Sequence, residues 1–181
     1  MKITILNGNP NVEDSGFDDY LTKFKTVLES RDHTVMILQL RDMDIRYCIG
    51  CWVKTPGECS NAADDTRVVR REYINSGLVI FASPVIMGFT SALLKKAHDR
   101  LIPLLTPYTR LFNGESHHVA RYDKYPLIGL LLQPDGNTDA EDMEIISEIY
   151  RRDAINFKAS FIFAQTTGNP VEEVADAIAG I

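Results

Sequence analysis

A parallel α/β sandwich, with a sheet covered by helices on both faces, is the fold class that the sequence predicts. Three observations point to it. Five short apolar runs are spread along the 181 residues, each is followed by a stretch with helical character, and the runs are near-continuous rather than alternating. Strands buried on both faces read in this way, and parallel neighbours need a crossover of the kind a helix supplies.

The elements follow in order. Lys2-Ile-Thr-Ile-Leu-Asn7 is the first buried strand, and a loop of small and hydrogen-bonding residues, Gly8 to Phe17, leads from it. Phe17, Leu21, Phe24 and Leu28 then share one face of a helix over 15–31. The second strand spans 34–40 and a second helix 63–76, separated by a long connection that holds all three cysteines. The third strand, 78–83, breaks at Ser83-Pro84. A short loop with Gly88 then enters a helix over 91–105, whose start is signalled by Thr90 and Ser91. A second long connection, 106–126, carries Tyr108, Phe112, His117, His118, Tyr122 and Tyr125. A strand at 127–132, a helix at 139–156, a strand at 160–165 and a helix at 171–179 complete the alternation, in one domain over 1–181. The charges Asp142, Glu144, Glu148, Arg151 and Arg152 read as the solvated face of the fourth helix.

In open α/β sheets ligands bind in the crevice outside the carboxyl ends of the strands. The loops after the first and third strands are therefore the candidate site. The first ends at a helix amino terminus, where free N–H groups and the dipole favour an anion such as phosphate; Ser15 is also suited to cap that helix. Its spacing fits neither G-x-G-x-x-G nor G-x-x-x-x-G-K-[ST], which removes dinucleotide-type and nucleoside triphosphate sites. Hydrophobic residues make up 45% of the chain and the net charge is −6 with both signs interleaved, so no basic stripe for nucleic acid is present. The amino-terminal residues run straight into a strand, and no apolar run reaches the ~20 residues that cross a bilayer. The expectation is a cytoplasmic protein in which the cysteines are thiols.

These loops carry a resemblance. Gly8-Asn9-Pro10-Asn11 to Ser15 resembles the G-S-P-x-x-x-x-S loop, and Ser83-Pro84-Val85-Ile86-Met87-Gly88 the S/T-P-V/I-Y-x-G loop, of flavodoxin-like NAD(P)H-dependent FMN reductases and quinone reductases. Ser91, Leu94, Lys95, Asp99 and Arg100 are similar to the S-x-x-L-K-x-x-x-D-R that follows in that family. The resemblance, particularly to the branch containing iron-sulfur flavoproteins, implies strand order 2-1-3-4-5 and an FMN site. Asn9, Pro10, Asn11, Ser15, Gly16 and Phe17 would hold the phosphate. Pro84, Val85, Ile86, Met87, Gly88 and Phe89 would lie along the isoalloxazine ring. Gln133, Asp135 and Gly136, in the turn-rich loop 133–138, would meet the pyrimidine edge. Asn11 stands where an arginine is common, and Ile86 or Val85 stands where an aromatic is common.

The activity implied is electron transfer from NADH or NADPH through FMN to a quinone, flavin or similar small acceptor. Because the cofactor carries that chemistry, no catalytic residue of the protein is expected. A flavodoxin-type electron carrier and a non-catalytic flavodoxin-like scaffold are the alternatives. A homodimer or homotetramer is expected, since the two long connections hold more aromatic residues than solvent-exposed loops should bear.

Cys48, Cys51 and Cys59 lie where iron-sulfur flavoproteins of this family carry C-x2-C-x2-C-x4–7-C. Depending on register, the missing position is Ile45 or Lys54, and a cubane cluster is normally held by four thiolates, so no conventional cluster and no other metal is expected. A three-cysteine zinc site, a redox-active Cys48–Cys51 pair, and a metal-free loop anchored by Trp52 with a Thr55-Pro56-Gly57 turn remain open. The His117–His118 pair reads as hydrogen-bonded structure rather than a metal site.

Overall fold

The computed structural model describes residues 1–13, 15–51, 59 and 63–179. Five parallel strands form the central sheet: β1 (Lys2–Asn7), β2 (Thr34–Gln39), β3 (Leu78–Ile86), β7 (Leu127–Gln133) and β8 (Phe161–Thr166), in spatial order β2-β1-β3-β7-β8. Counting only these five, the order is the expected 2-1-3-4-5 flavodoxin-like arrangement. A two-residue strand, β4 (Phe89–Thr90), folds back antiparallel on the end of β3.

Alternation along each strand decides which face is covered by what. Ile3 and Ile5 of β1, with Leu78, Ile80 and Ala82 of β3, face α1 (Ser15–Glu29) and α5 (Val171–Asp176). The apolar stripe Phe17, Leu21, Phe24 and Leu28 of α1 is fully buried there. Leu6, Val79, Phe81, Leu130 and Leu132 face the other way, onto α2 (Thr66–Ile74), α3 (Ala92–Asp99) and α4 (Ala140–Asn156). The two faces are filled by separate apolar clusters, as a doubly covered parallel sheet requires. Among the described residues no helix is long and apolar enough to cross a membrane.

Three elements differ from the sequence reading. β3 does not break at Ser83-Pro84 but continues to Ile86, because Pro84 sits near the strand end where one missing N–H is tolerated and its neighbours stay in register with β7. α3 ends at Asp99 rather than 105, because Pro103 follows closely and the chain tightens into a 3-10 turn over Ile102–Leu104. The connection 106–126 is largely a β-hairpin, β5 (Leu105–Phe112) and β6 (Glu115–Ala120). Its turn residues Asn113 and Gly114 have φ of 50° and 81°, the paired positive values of a type I′ turn.

Candidate functional site

From β1 the chain crosses to β2 on one side, and from β2 it returns to β3 on the other side of β1. The carboxyl ends of β1 and β3 therefore flank the switch point, and β7 lies next to β3. The three loops read from sequence as a site converge at this edge. Gly8 N–H donates to Ala82 O (2.8 Å), Ser91 Oγ donates to Gly8 O (2.5 Å), and Pro84 pairs in register with Gln133. Ser91 also caps α3 by accepting from Leu94 N–H, so one side chain ties the first loop to the helix that follows the second.

The first loop is shaped by asparagines. Asn7 Oδ1 accepts from Asn9 N–H, Asn9 Oδ1 from Asn11 N–H, and Asn11 Oδ1 from Glu13 N–H, at 2.9–3.0 Å. These consecutive side-chain turns fix the path of the loop from within. Asn9 is buried, whereas Pro10, Asn11, Ser15 and Gly16 are exposed; the Phe17 ring is in the core, leaving only its backbone to the loop. Beneath lies a polar network that sequence reasoning missed. Asn7 Nδ2 donates to Asp18 Oδ1 and to Gln39 Oε1, both at 2.6 Å, and Arg41 holds Asp18 at 2.7 Å while reaching Asn9 O at 3.5 Å. Arg41 thus brings a guanidinium to the loop whose motif lacks its usual arginine. The adjacency of β1 and β2, with Asn7 opposite Gln39, is the feature that places it there.

The second loop is a tight β3–β4 hairpin. Met87 and Gly88 occupy its turn with φ of 52° and 73°, and a side chain at Gly88 would meet Asp142 Oδ1 at 3.2 Å. Ile86 and Met87 are exposed apolar side chains at its tip, Val85 is buried, and Pro84 and Phe89 are half-buried. In the third loop Asp135 accepts from Asn137 N–H and from Thr138 Oγ1, each at 2.9 Å. The Asn137 N–H, then the Thr138 hydroxyl, hold its carboxyl below the usual range. Gly136 is exposed beside it. Gln133 Oε1 is buried and has no hydrogen-bond partner among the described residues. An unsatisfied acceptor at the end of β7 fits an N–H donor of a bound flat heterocycle.

Behind Phe89 opens a cleft of about 790 Å³ between α3, α4, the β5–β6 hairpin and the cysteine segment, lined by Cys48, Cys51, Lys95, His98, Asp153 and Phe157 among others. His98 Nε2 lies 3.3 Å from Asp153, and its ring stacks on Tyr150 at 5.3 Å. Burial pulls the His98 imidazole below its ordinary value and pushes the Asp153 carboxyl up. His117 is buried and bonded to Asn156 and Glu115, in keeping with a structural histidine. Tyr125, expected among the interface aromatics, is instead buried and donates to Leu104 O at 2.5 Å. Trp52, Lys54 and the Thr55-Pro56-Gly57 turn lie outside the described residues.

The fold is that of a flavodoxin-like α/β protein, with three loops meeting at the switch point. Residues 1–116 match the model of the NADPH-dependent FMN reductases, and the chain belongs to that family. A curated iron-sulfur flavoprotein from Archaeoglobus fulgidus is 27% identical over 100 residues, covering 55% of this chain and 48% of that protein. The chain thus spans about half the length of the curated relative it matches. A solved flavone reductase shares 14% identity with a TM-score of 0.63, over 98% of this chain and 59% of that one. An azoreductase from Bacillus anthracis strain Sterne gives 14% and 0.59, over 99% and 93% of the two chains. An NADH:FMN oxidoreductase in its apo form gives 15% and 0.58, over 98% and 82%. At these identities the likeness shows the fold.

Proposed function

We propose that this chain binds FMN at the three-loop crevice and works as an NAD(P)H-dependent oxidoreductase, delivering electrons to a quinone, a flavin or a similar small acceptor. The observation that carries the reading is the convergence of the β1, β3 and β7 loops, the first two tied through Gly8 and Ser91 and the third set beside them by the Pro84–Gln133 pairing. FMN, when bound, supplies the hydride and electron chemistry. The chain supplies placement. First-turn N–H groups of α1 at Gly16 and Phe17, with the Ser15 hydroxyl, face the phosphate position, and the partial positive charge of the helix start favours it. Ile86 and Met87 offer an apolar bed for the ring system, and Gln133 Oε1 accepts from its pyrimidine edge. Asp135, bonded within its own turn, shapes the third loop without directing its charge at the ring. The thiol state of the cysteines suits a cytoplasmic protein.

Purified or FMN-reconstituted protein is expected to be yellow, with one FMN per chain, and to bleach on adding NADH or NADPH. A colourless protein that cannot be reconstituted supports the scaffold reading, and a yellow one that nicotinamides do not reduce supports a carrier. Ser15→Glu sets a carboxylate against the phosphate and should weaken FMN roughly tenfold to a hundredfold, an effect of a few kcal/mol for like charges at close range. Unchanged affinity in a flavin-fluorescence titration refutes the phosphate-loop assignment.

A homodimer or tetramer is part of the same reading. Tyr108, Leu111 and Phe112 stand exposed on the hairpin, and Tyr47 and Ile49 on the connection after β2. Side chains of this type are enriched at interface cores. Sedimentation at micromolar concentration should show a species of at least two chains, reduced to one by Tyr108→Glu with Leu111→Glu. A wild-type monomer that still oxidises NAD(P)H would overturn the interface.

A further inference from the structure

The cysteines do not fit a conventional iron-sulfur cluster. They supply three thiolates where a cubane normally takes four. Of the two positions where a fourth would fall, Ile45 is a buried apolar core residue and Lys54 lies outside the described residues. Among the described residues no group of three or more His, Cys, Asp or Glu is arranged to hold a metal ion. What the fold does instead is bring two thiols into contact: Cys51 Sγ and Cys59 Sγ are 3.3 Å apart, although eight positions separate them in sequence.

We propose that Cys51, which lines the cleft, and Cys59 form a redox-active dithiol that exchanges with low-molecular-weight disulfides such as glutathione disulfide. The inference does not rest on FMN binding. Its first support is the contact itself, since a bridge at about 2.0 Å needs only a small closing movement of the two side chains. Its second is the difference in access. Cys51 is half-buried and lines the cleft, whereas Cys59 is buried at 7% exposure. One sulfur can therefore meet a small molecule and the other waits behind it.

The third support is that the segment is pinned on both sides of the pair. Asp65 N–H donates to Asp44 O and Asp44 N–H to Asp65 Oδ2, each at 2.8 Å. Arg46 N–H donates to Asp64 Oδ2 at 3.2 Å. These bonds hold the chain before Cys48 against the chain that leads into α2. Gly50, with φ of 67°, bends the backbone immediately before Cys51.

The exchange balances without any further redox partner. Cys51, as thiolate, attacks one sulfur of the external disulfide; that S–S bond breaks and one small thiolate leaves. Cys59, as thiolate, then attacks the Cys51 sulfur, forming the internal bridge and expelling the second small thiolate. The two protons of the protein thiols pass through solvent to the two leaving thiolates. The protein dithiol loses two electrons and the external disulfide gains them. Because the second sulfur is already held at 3.3 Å, the closing step is intramolecular and fast relative to capture by another molecule.

The test uses the full chain, purified anaerobically with reductant and then treated with glutathione disulfide. Alkylable thiols should fall from the three of the sequence to one, with loss of two hydrogens in the intact mass and a peptide bridge linking Cys51 to Cys59. Cys59→Ser should instead retain one glutathione on Cys51, and Cys48→Ser should form the bridge as the wild type does. A wild-type bridge that involves Cys48, or glutathione adducts without a bridge, overturns the pairing. Iron and sulfide near four of each per chain, with the thiols unreactive, overturns the dithiol in favour of a cluster completed by another group. If Cys59→Ser fails to fold, the wild-type peptide map decides alone.

Discussion

Replacing Arg100 with leucine should cost about 3–5 kcal/mol of stability, the range found when one partner of a buried ion pair is removed. Arg100 and Asp64 are 2.9 Å apart, with side chains 2% and 0% exposed. The guanidinium also donates to Arg46 O and Thr66 Oγ1, both at 3.0 Å. Removing it leaves a carboxylate in a place that water does not reach, and frees the segment leading to the cysteines from the end of α3. Urea denaturation measures the loss, and a loss under about 1 kcal/mol, the level of an exposed pair, would show that the site is wet. Asp64→Ala in the Arg100→Leu background should cost less than the sum of the two single changes, because the stranded charge is gone. The pH dependence has a definite sign. Burial pushes the Asp64 carboxyl up, but hydrogen bonds from Thr66 and Arg46 and the Arg100 charge outweigh it, so the folded value lies below the unfolded one. Its contribution is present above about pH 4 and is lost as pH falls through the lower folded value. The stability gap between wild type and Asp64→Asn should therefore narrow below about pH 4.

The five parallel strands were legible because each is a short apolar run bounded by breakers and followed by a helical pattern; β1, β3 and β7 are buried along most of their length, whereas the edge strands β2 and β8 are only half-buried. The β5–β6 hairpin leaves little trace in the sequence. Its residues from Pro107 to Phe112 are exposed and mixed in character, so no apolar alternation marks it. The Asn113-Gly114 pair was the available clue, since that dipeptide supplies the positive φ values of a two-residue turn. Arg100 was visible as part of a motif, but its partner lies thirty-six positions upstream, and no local pattern connects them. The same holds for Arg41 and Asp18, which meet only because β2 pairs with β1. The candidate site was legible in position, as loops at strand ends, but not in the detail of side-chain use. Asn9 and Asn11 read as groups free to meet a phosphate; in the fold their carbonyl oxygens accept from the N–H groups of their own loop.

Gly8→Ala should destabilise the protein by about 1–3 kcal/mol, as overpacking of a tight site does, and should weaken FMN binding by about tenfold or more. The added Cβ would stand 2.6 Å from Leu94 Cβ, 3.1 Å from Ser91 Oγ and 3.2 Å from Ala82 O. Leu94 Cβ belongs to the first turns of α3 and cannot swing aside as the end of a long side chain would. Either α3 or the first loop must move, and each movement strains the bond from Gly8 N–H to Ala82 O or the bond from Ser91 Oγ to Gly8 O. Those two bonds set the first loop against the second, so the phosphate end and the ring end of the site shift relative to each other. A ligand that spans both ends loses contact at one of them, and each 1.4 kcal/mol so lost is about tenfold in affinity. Urea denaturation reads the packing and flavin-fluorescence titration reads the site. Full stability in the variant would show that the loop and α3 are not in contact. A destabilised variant that binds FMN as tightly as wild type would show that the cofactor does not bridge the two loops.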